Sequence, residues 1–184
     1  IFKVIASGGD ANLGGDDFDV MFAKSYLLEN LKINFHELSE KDRLKISKKF
    51  KVIKEKLTNT KKVHEKLEIK GKLLEVVINI KDFDKSVESL IDKTISISSD
   101  LLNEIDIALE DISGFVLVGG STRIKSISKK LKEKFKTEVF DDVDPDLVVS
   151  KGAALHGFEL LNGSRNILLD VTPLSLGIET MGGL

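Results

Sequence analysis

Two adjacent glycines followed by hydroxyl and cationic side chains form the segment of this sequence best suited to binding an anion. They lie in Gly119-Gly120-Ser121-Thr122-Arg123. A turn without Cβ atoms lets backbone N–H groups approach a phosphate, and a helix that begins there adds partial positive charge. Arg123, one of only three arginines in the chain, offers a flat guanidinium for stacking on a ring or pairing with phosphate. These residue types favour a phosphate or nucleotide site. They are also compatible with a tight turn in any α/β domain.

The residues around this turn predict a strand, a turn and a helix. Phe115–Val118 is an apolar run that we interpret as a buried strand. Ser121 and Thr122 can each cap a helix start, and apolar residues then recur at helical spacing, at Ile124, Ile127, Leu131 and Phe135. In α/β sheets ligands bind beyond the carboxyl ends of the strands, which is where this turn would lie.

A second glycine pair, Gly14-Gly15, is followed by the acidic residues Asp16, Asp17 and Asp19. Carboxylates are favourable in the first turn of a helix. We therefore prefer a helix start to a cation site, which these acids could also form. The chain has three histidines, which are His36, His64 and His156. Their spacing is not that of metal ligands.

Two helices and a hairpin are predicted between residues 15 and 80. Ser39 can cap the second helix, whose apolar stripe is Ile46, Phe50, Ile53 and Leu57. Two runs of alternating apolar and polar residues flank Lys70-Gly71, which indicates a hairpin with one buried face. The dense lysines of 41–66 fit a solvated helix face, because acidic residues are interspersed and aromatic ones are scarce.

The remaining elements are predicted from caps and apolar spacing. Ile1–Ser7 reads as a strand, and Asp82 can cap a long helix. Asp144 followed by Pro145 indicates the start of a last helix. The residues of that helix expected to face inward are Leu147, Val148, Leu155 and Phe158.

Composition narrows the range of functions. The chain has 184 residues, of which 41% are hydrophobic and 32% charged, and its net charge is −2. This charge predicts no nucleic-acid partner. The absence of cysteine excludes disulfides and thiolate chemistry. No apolar run is long enough to span a bilayer, so we expect no membrane partner and a cytoplasmic location. Because the chain begins without methionine and ends on Gly182-Gly183-Leu184, we interpret it as a fragment.

Several segments together resemble the seventy-kilodalton heat-shock chaperone family. They are Leu13–Asp19, Val116–Arg123, Asp144–Asp146, Gly152–Ala154 and the tail Leu168–Thr180. The resemblance covers the whole chain, and the tail together with the two glycine motifs is highly specific. The chain looks most like the subfamily dedicated to iron–sulfur cluster assembly, the HscA type.

The resemblance implies an α/β, actin-like ATPase fold in which two lobes enclose ATP, with this chain as the second lobe. Residues 14–91 would form its upper subdomain, and residues 1–13 and 92–166 its base. Residues 167–184 would be the interdomain linker and the start of the peptide-binding domain. The implied cofactor is ATP or ADP with Mg²⁺. The implied partners are a J-domain co-chaperone, an iron–sulfur scaffold protein and an unfolded peptide client. The isolated chain is expected to have no catalytic residue and no ATPase activity.

The family's motifs also imply a nucleotide site. Gly15 would lie near the phosphates, Arg123 would stack on adenine, and Asp146 would lie near the adenosine. Gly119, Gly120 and Ser121, with Thr122 beside them, would approach the α-phosphate and ribose. A helix would close over the nucleoside with four side chains, those of Lys51, Lys54, Glu55 and Thr58.

Two of these positions depart from the family pattern. Lys51 stands where an acid is usual, and Glu55 stands where an arginine is usual. A carboxylate for the ribose and a stacking cation are thereby lost, so we expect weaker ATP binding than in a general chaperone. Two alternatives remain: a metabolite kinase on the same actin-like fold, and a nucleotide-independent interaction module that uses the lysine-rich helix.

Overall fold

The computed structural model describes residues 2–140, 143–163 and 168–169. This part of the chain combines α-helices with short strands. The helices are α1 (Gly15–Leu31), α2 (Glu40–Leu57), α3 (Ile80–Glu104), α4 (Lys125–Phe135) and α5 (Val148–Leu161). The strands are β1 (Phe2–Lys3), β2 (Lys62–Ile69), β3 (Lys72–Asn79), β4 (Phe115–Val116), β5 (Val139–Phe140) and β6 (Leu168–Leu169). No helix in these residues combines the length and the apolar character needed to cross a membrane.

The strands pair in three separate two-stranded sheets. β2 and β3 form an antiparallel hairpin, whereas β4 pairs with β5 and β1 pairs with β6 in parallel. The first predicted strand, Ile1–Ser7, is shorter than expected, because β1 covers only Phe2–Lys3 and residues 4–7 are not in a strand, while Ile1 lies outside the described residues. The proposed linker residues 167 and 170–184 lie outside the described residues, and the backbone of Leu168–Leu169 lies beside that of Phe2–Lys3.

α1 packs against α2 and α3, and α2 also packs against β2 of the hairpin. The predicted apolar stripe of α2 is buried. Ser39 begins α2 as its cap, since its Oγ accepts a hydrogen bond from the Asp42 N–H at 3.1 Å. The rings of Phe22 and Phe50 are fully buried and meet edge to face with centroids 4.9 Å apart. The hairpin turns at Lys70-Gly71, where Gly71 has a φ of 74°.

The long helix begins two residues before the predicted cap. β3 runs directly into α3, whose first residue is Ile80, so Asp82 already lies in the first turn. From there its carboxylate accepts a hydrogen bond from the Asn79 N–H at 2.9 Å. α3 then continues without a break past residue 91, the proposed boundary between subdomains.

The strand and helix around Gly119–Arg123 differ from the prediction in length. β4 covers only Phe115–Val116, and Val116 is 57% exposed, so this is not a fully buried strand. Residues Gly120–Arg123 form a 3₁₀ turn, and α4 begins only at Lys125. Ser121 and Thr122 therefore do not cap α4. The apolar stripe that follows the turn is confirmed, because Ile124, Ile127, Leu131 and Phe135 are all buried.

The last helix was predicted correctly in outline but wrongly in its cap and its buried face. Asp144-Pro145-Asp146 forms a turn ahead of α5, whose N-cap is Leu147. The Asp144 carboxylate accepts hydrogen bonds from the Asp146 N–H within this turn and from Arg123. Leu155 and Phe158 are each 66% exposed rather than buried. Apolar spacing identifies a helix face, but it does not determine what covers that face.

Candidate functional site

A cavity of about 390 Å³ lies between the upper helices and the 3₁₀ turn. Four separate stretches of chain contribute to its wall: the start of α1, the second half of α2, the 3₁₀ turn with Ile124, and Asp146. The wall contains nine of the eleven residues predicted for the nucleotide site, namely Gly15, Lys51, Lys54, Glu55, Thr58, Gly120, Ser121, Arg123 and Asp146. Asp16, Asp19 and Ile124 complete it.

The other two predicted residues, Gly119 and Thr122, lie outside this wall and shape the turn instead. Gly119 has φ 88° and ψ 151°, a conformation that only glycine adopts readily. Its N–H donates to the Pro145 carbonyl at 2.9 Å. The Thr122 hydroxyl donates to the Gly119 carbonyl at 2.7 Å. Both residues thus fix the path of the backbone that presents Gly120 and Ser121 to the cavity.

The two glycines in the wall keep backbone accessible to a ligand. A Cβ at Gly15 would lie 3.0 Å from the Ser121 hydroxyl oxygen and 3.8 Å from the Lys54 Nζ. A Cβ at Gly120 would lie 3.4 Å from the Asp146 Oδ1. Side chains at these positions would therefore occupy the space between α1, the turn and Asp146.

A buried ion pair joins α1 to α2 inside the cavity wall. The Lys54 Nζ lies 2.7 Å from the Asp19 Oδ1 and donates a hydrogen bond to the Gly15 carbonyl at 3.1 Å. Asp19 is 3% exposed, and its Oδ1 accepts no well-aligned hydrogen bond from the described residues, so the contact with Lys54 is an ion pair. Burial raises the pKa of Asp19, and the adjacent Lys54 ammonium opposes that rise.

Arg123 is held by two carboxylates at the other side of the cavity. Its Nη2 donates to the Asp146 Oδ2 at 2.6 Å and to the Asp144 Oδ1 at 3.0 Å. The Asp144 Oδ1 also accepts the Asp146 N–H at 3.0 Å, which ties the two acids together. These contacts, foremost the hydrogen bond to Asp146, raise the pKa of the Arg123 guanidinium. One edge of the guanidinium is thereby fixed, which leaves its planar face available for stacking.

The remaining charges in the wall are Lys51, Asp16 and Glu55. None of the three forms a salt bridge within the described residues, whereas Lys54 and Arg123 do. Lys51 is therefore the cation of the cavity wall that forms no salt bridge with another described residue. The wall thus has two carboxylates without a salt bridge, Asp16 and Glu55, and one such cation, Lys51. It therefore suits a ligand that carries hydroxyl and amine donors better than a ligand that carries several phosphates.

The sequence did not identify Asp19 and Asp144 as parts of this site. Asp19 was considered as a cation ligand, a helix-start acid and part of the Leu13–Asp19 motif, but its pairing with Lys54, 35 positions away, was not predicted. Asp144 was considered as a helix cap and part of the Asp144–Asp146 motif, but not as a partner of Arg123. Among the described residues no group of three or more Asp, Glu or His side chains is arranged to hold a metal ion.

Comparison with known proteins agrees with the motifs. A family model described as Hsp70 protein matches residues 1–184. The chain is 40% identical to the chaperone protein HscA of Buchnera aphidicola subsp. Schizaphis graminum (strain Sg), and the match covers 100% of this chain and 30% of the relative. It is 38% identical to an HscA homolog of Janthinobacterium sp. (strain Marseille), again over 100% of this chain and 30% of the relative. The chain thus spans under a third of the length of these relatives, and it belongs to the Hsp70 family.

Proposed function

We propose that this chain is the second lobe of an actin-like ATPase domain and that its cavity holds the adenosine part of ATP or ADP. The observation that carries the proposal is the single cavity that gathers nine predicted nucleotide-site residues from four stretches of chain. Its volume of about 390 Å³ lies within the range of small-molecule sites. Residues 14–91 would form the upper subdomain above the nucleoside, and residues 1–13 and 92–166 the base below it.

The residues of the wall fit the parts of a nucleoside. The bare backbone at Gly15 and Gly120 leaves room for a ribose and an adjoining phosphate. The fixed guanidinium of Arg123 offers a plane for the adenine ring, and the base and ribose carry hydroxyl and amine donors for Glu55 and Asp16. Bound Mg-ATP would supply the phosphate that is transferred to water. The described residues include no metal-ligand cluster, so we assign none of them to Mg²⁺.

In the whole protein, nucleotide state would control peptide binding through the linker. The parallel pairing of β6 (Leu168–Leu169) with β1 supports this part of the proposal, because it attaches the linker backbone to the first strand of the base. The names of the relatives support a chaperone of the HscA type, and we propose that it depends on ATP. Its partners would be a J-domain co-chaperone, an iron–sulfur scaffold protein and a peptide client, in the cytoplasm. Membership of the Hsp70 family argues against the metabolite kinase.

Calorimetric titration of the full-length protein with ADP tests the proposal. Gly120→Val should weaken binding because its side chain would extend from the position 3.4 Å from the Asp146 carboxylate into the cavity. Gly9→Val is the matched control, since a Cβ at Gly9 meets no atom within 4 Å and the residue lies outside the cavity. Equal ADP affinity in both variants and the wild type would place the nucleotide elsewhere.

A further inference from the structure

The ion pair between Asp19 and Lys54 is buried although both side chains line a cavity. The side chain of Asp19 is 4% exposed and that of Lys54 is 10% exposed. A buried charge without a partner is strongly unfavourable, so each of these groups depends on the other. In every other salt bridge of the described residues, at least one side chain is more exposed than either Asp19 or Lys54. The Asp19–Lys54 pair therefore differs from the surface salt bridges.

We propose that Asp19 is a positioning residue that holds the Lys54 ammonium against the cavity wall beside Gly15. This inference rests on the proposed function, in which Lys54 contacts the nucleoside. The Lys54 Nζ has two partners, the Asp19 carboxylate at 2.7 Å and the Gly15 carbonyl at 3.1 Å. The Asp19 carboxylate offsets the charge of the ammonium, and the Gly15 carbonyl orients it by accepting a hydrogen bond. The ammonium is therefore fixed before a ligand binds.

The position of the ammonium matters because three elements meet there. A Cβ at Gly15 would lie 3.8 Å from the Lys54 Nζ and 3.0 Å from the Ser121 oxygen. The ammonium on α2 thus adjoins the start of α1 and shares a cavity wall with Ser121 of the 3₁₀ turn. A change in its position would alter the wall next to both glycine motifs.

Other carboxylates in the wall compete for Lys54 if Asp19 loses its charge. Asp16, Glu55 and Asp146 all line the same cavity. Asp146 already accepts a hydrogen bond from Arg123, whereas Asp16 and Glu55 form no salt bridge in the described residues. A lysine stem is flexible, and without the Asp19 charge we expect the ammonium to turn towards Asp16, Glu55 or solvent.

A double-mutant cycle on ADP affinity in the full-length protein tests this role. Asp19→Asn should weaken ADP binding by about tenfold, a coupling within the range for groups in contact. Lys54→Met should weaken it by a similar factor. Asp19→Asn added to Lys54→Met should cause no further loss, because Asp19 acts on the ligand only through Lys54. Asp92→Asn is the matched control, since it disrupts an Asp–Lys pair with Lys130 outside the cavity and should leave the affinity unchanged.

The cycle separates positioning from a general effect on the fold. An equal loss from Asp19→Asn with and without Lys54 would overturn the inference, because a purely structural role predicts it. If Asp19→Asn does not fold, Lys54→Met is compared with Asp19→Leu/Lys54→Met, in which both charges are replaced by apolar groups. Equal affinities there support the inference, and a further loss overturns it. If the wild type binds ADP and Lys54→Met binds it equally well, the role of Lys54 in the proposed function fails first.

Discussion

Replacing Gly119 by alanine should separate backbone strain from loss of space at the glycine turn. Gly119 has φ 88° and ψ 151°, and a Cβ there would meet no atom within 4 Å. The added methyl group therefore costs stability through conformation alone. A non-glycine residue in this region costs on the order of 1–3 kcal/mol.

The expected consequence is a lower melting temperature together with weaker nucleotide binding. For a cooperative unit of 150–250 residues about 1 kcal/mol corresponds to roughly 2–4 °C, so the shift should be about 2–12 °C for a transition in which this chain unfolds as one unit. Relief of the strain would rotate the peptide bond that leads into Gly120. That rotation would break the hydrogen bonds that the Gly119 carbonyl accepts from the Thr122 hydroxyl at 2.7 Å and from the Thr122 N–H at 3.0 Å. ADP affinity should fall because Gly120 and Ser121 then leave the cavity wall.

Thermal unfolding of the full-length protein measures this effect, with the relevant transition identified as the one that ADP shifts upward. Gly9→Ala is the control, because Gly9 has no positive φ and a Cβ there lies in open space. It should melt like the wild type and bind ADP equally well. A melting temperature for Gly119→Ala within about 1 °C of the control would refute the conformational argument.

Three further predictions concern the site and the linker. Arg123→Ala should weaken ADP binding about fivefold, as expected for a cation stacked on an aromatic ring, and full recovery by Arg123→Lys in the same titration would show that charge rather than stacking matters. The double substitution Lys51→Glu/Glu55→Arg should tighten ADP binding, because it restores a carboxylate for the ribose and a stacking cation. Unchanged or weaker binding by calorimetry would contradict the comparison with the family pattern. The double substitution Leu168→Asp/Leu169→Asp should leave ADP affinity intact but abolish stimulation of ATP hydrolysis by client and co-chaperone. The reason is that aspartate disfavours the strand that pairs with β1. Normal stimulation in a phosphate-release assay would remove the linker from the mechanism.

Local signals in the sequence predicted most of the individual elements. The cap at Ser39, the turn at Lys70-Gly71 and the stripe from Ile124 to Phe135 all depend on residues close together in the chain, and the structure confirms them. The prediction that one face of α5 is buried was wrong, because burial of a helix face depends on which distant segment packs against it. Its apolar spacing is real, but Phe158 is 66% exposed in the described structure.

The site was predictable as a set of motifs but not as an arrangement of charges. The glycine turns and Arg123 could be recognised because small residues and a rare arginine have distinct physical uses. The pairing of Asp19 with Lys54 and that of Arg123 with Asp146 depend on how helices and turns pack, and no local pattern encodes them. Those pairings determine which charges remain for a ligand.

Hydrogen exchange of the full-length protein with and without saturating ADP shows whether this cavity holds the nucleotide, since it reports opening of individual backbone segments. Exchange should slow in the three stretches 14–19, 51–58 and 119–124, which contribute to the cavity. It should not change in the hairpin tip at Lys70-Gly71, which lies outside the cavity. Unchanged exchange in all three stretches, with ADP binding verified by calorimetry, would contradict the claim that this cavity holds the nucleotide.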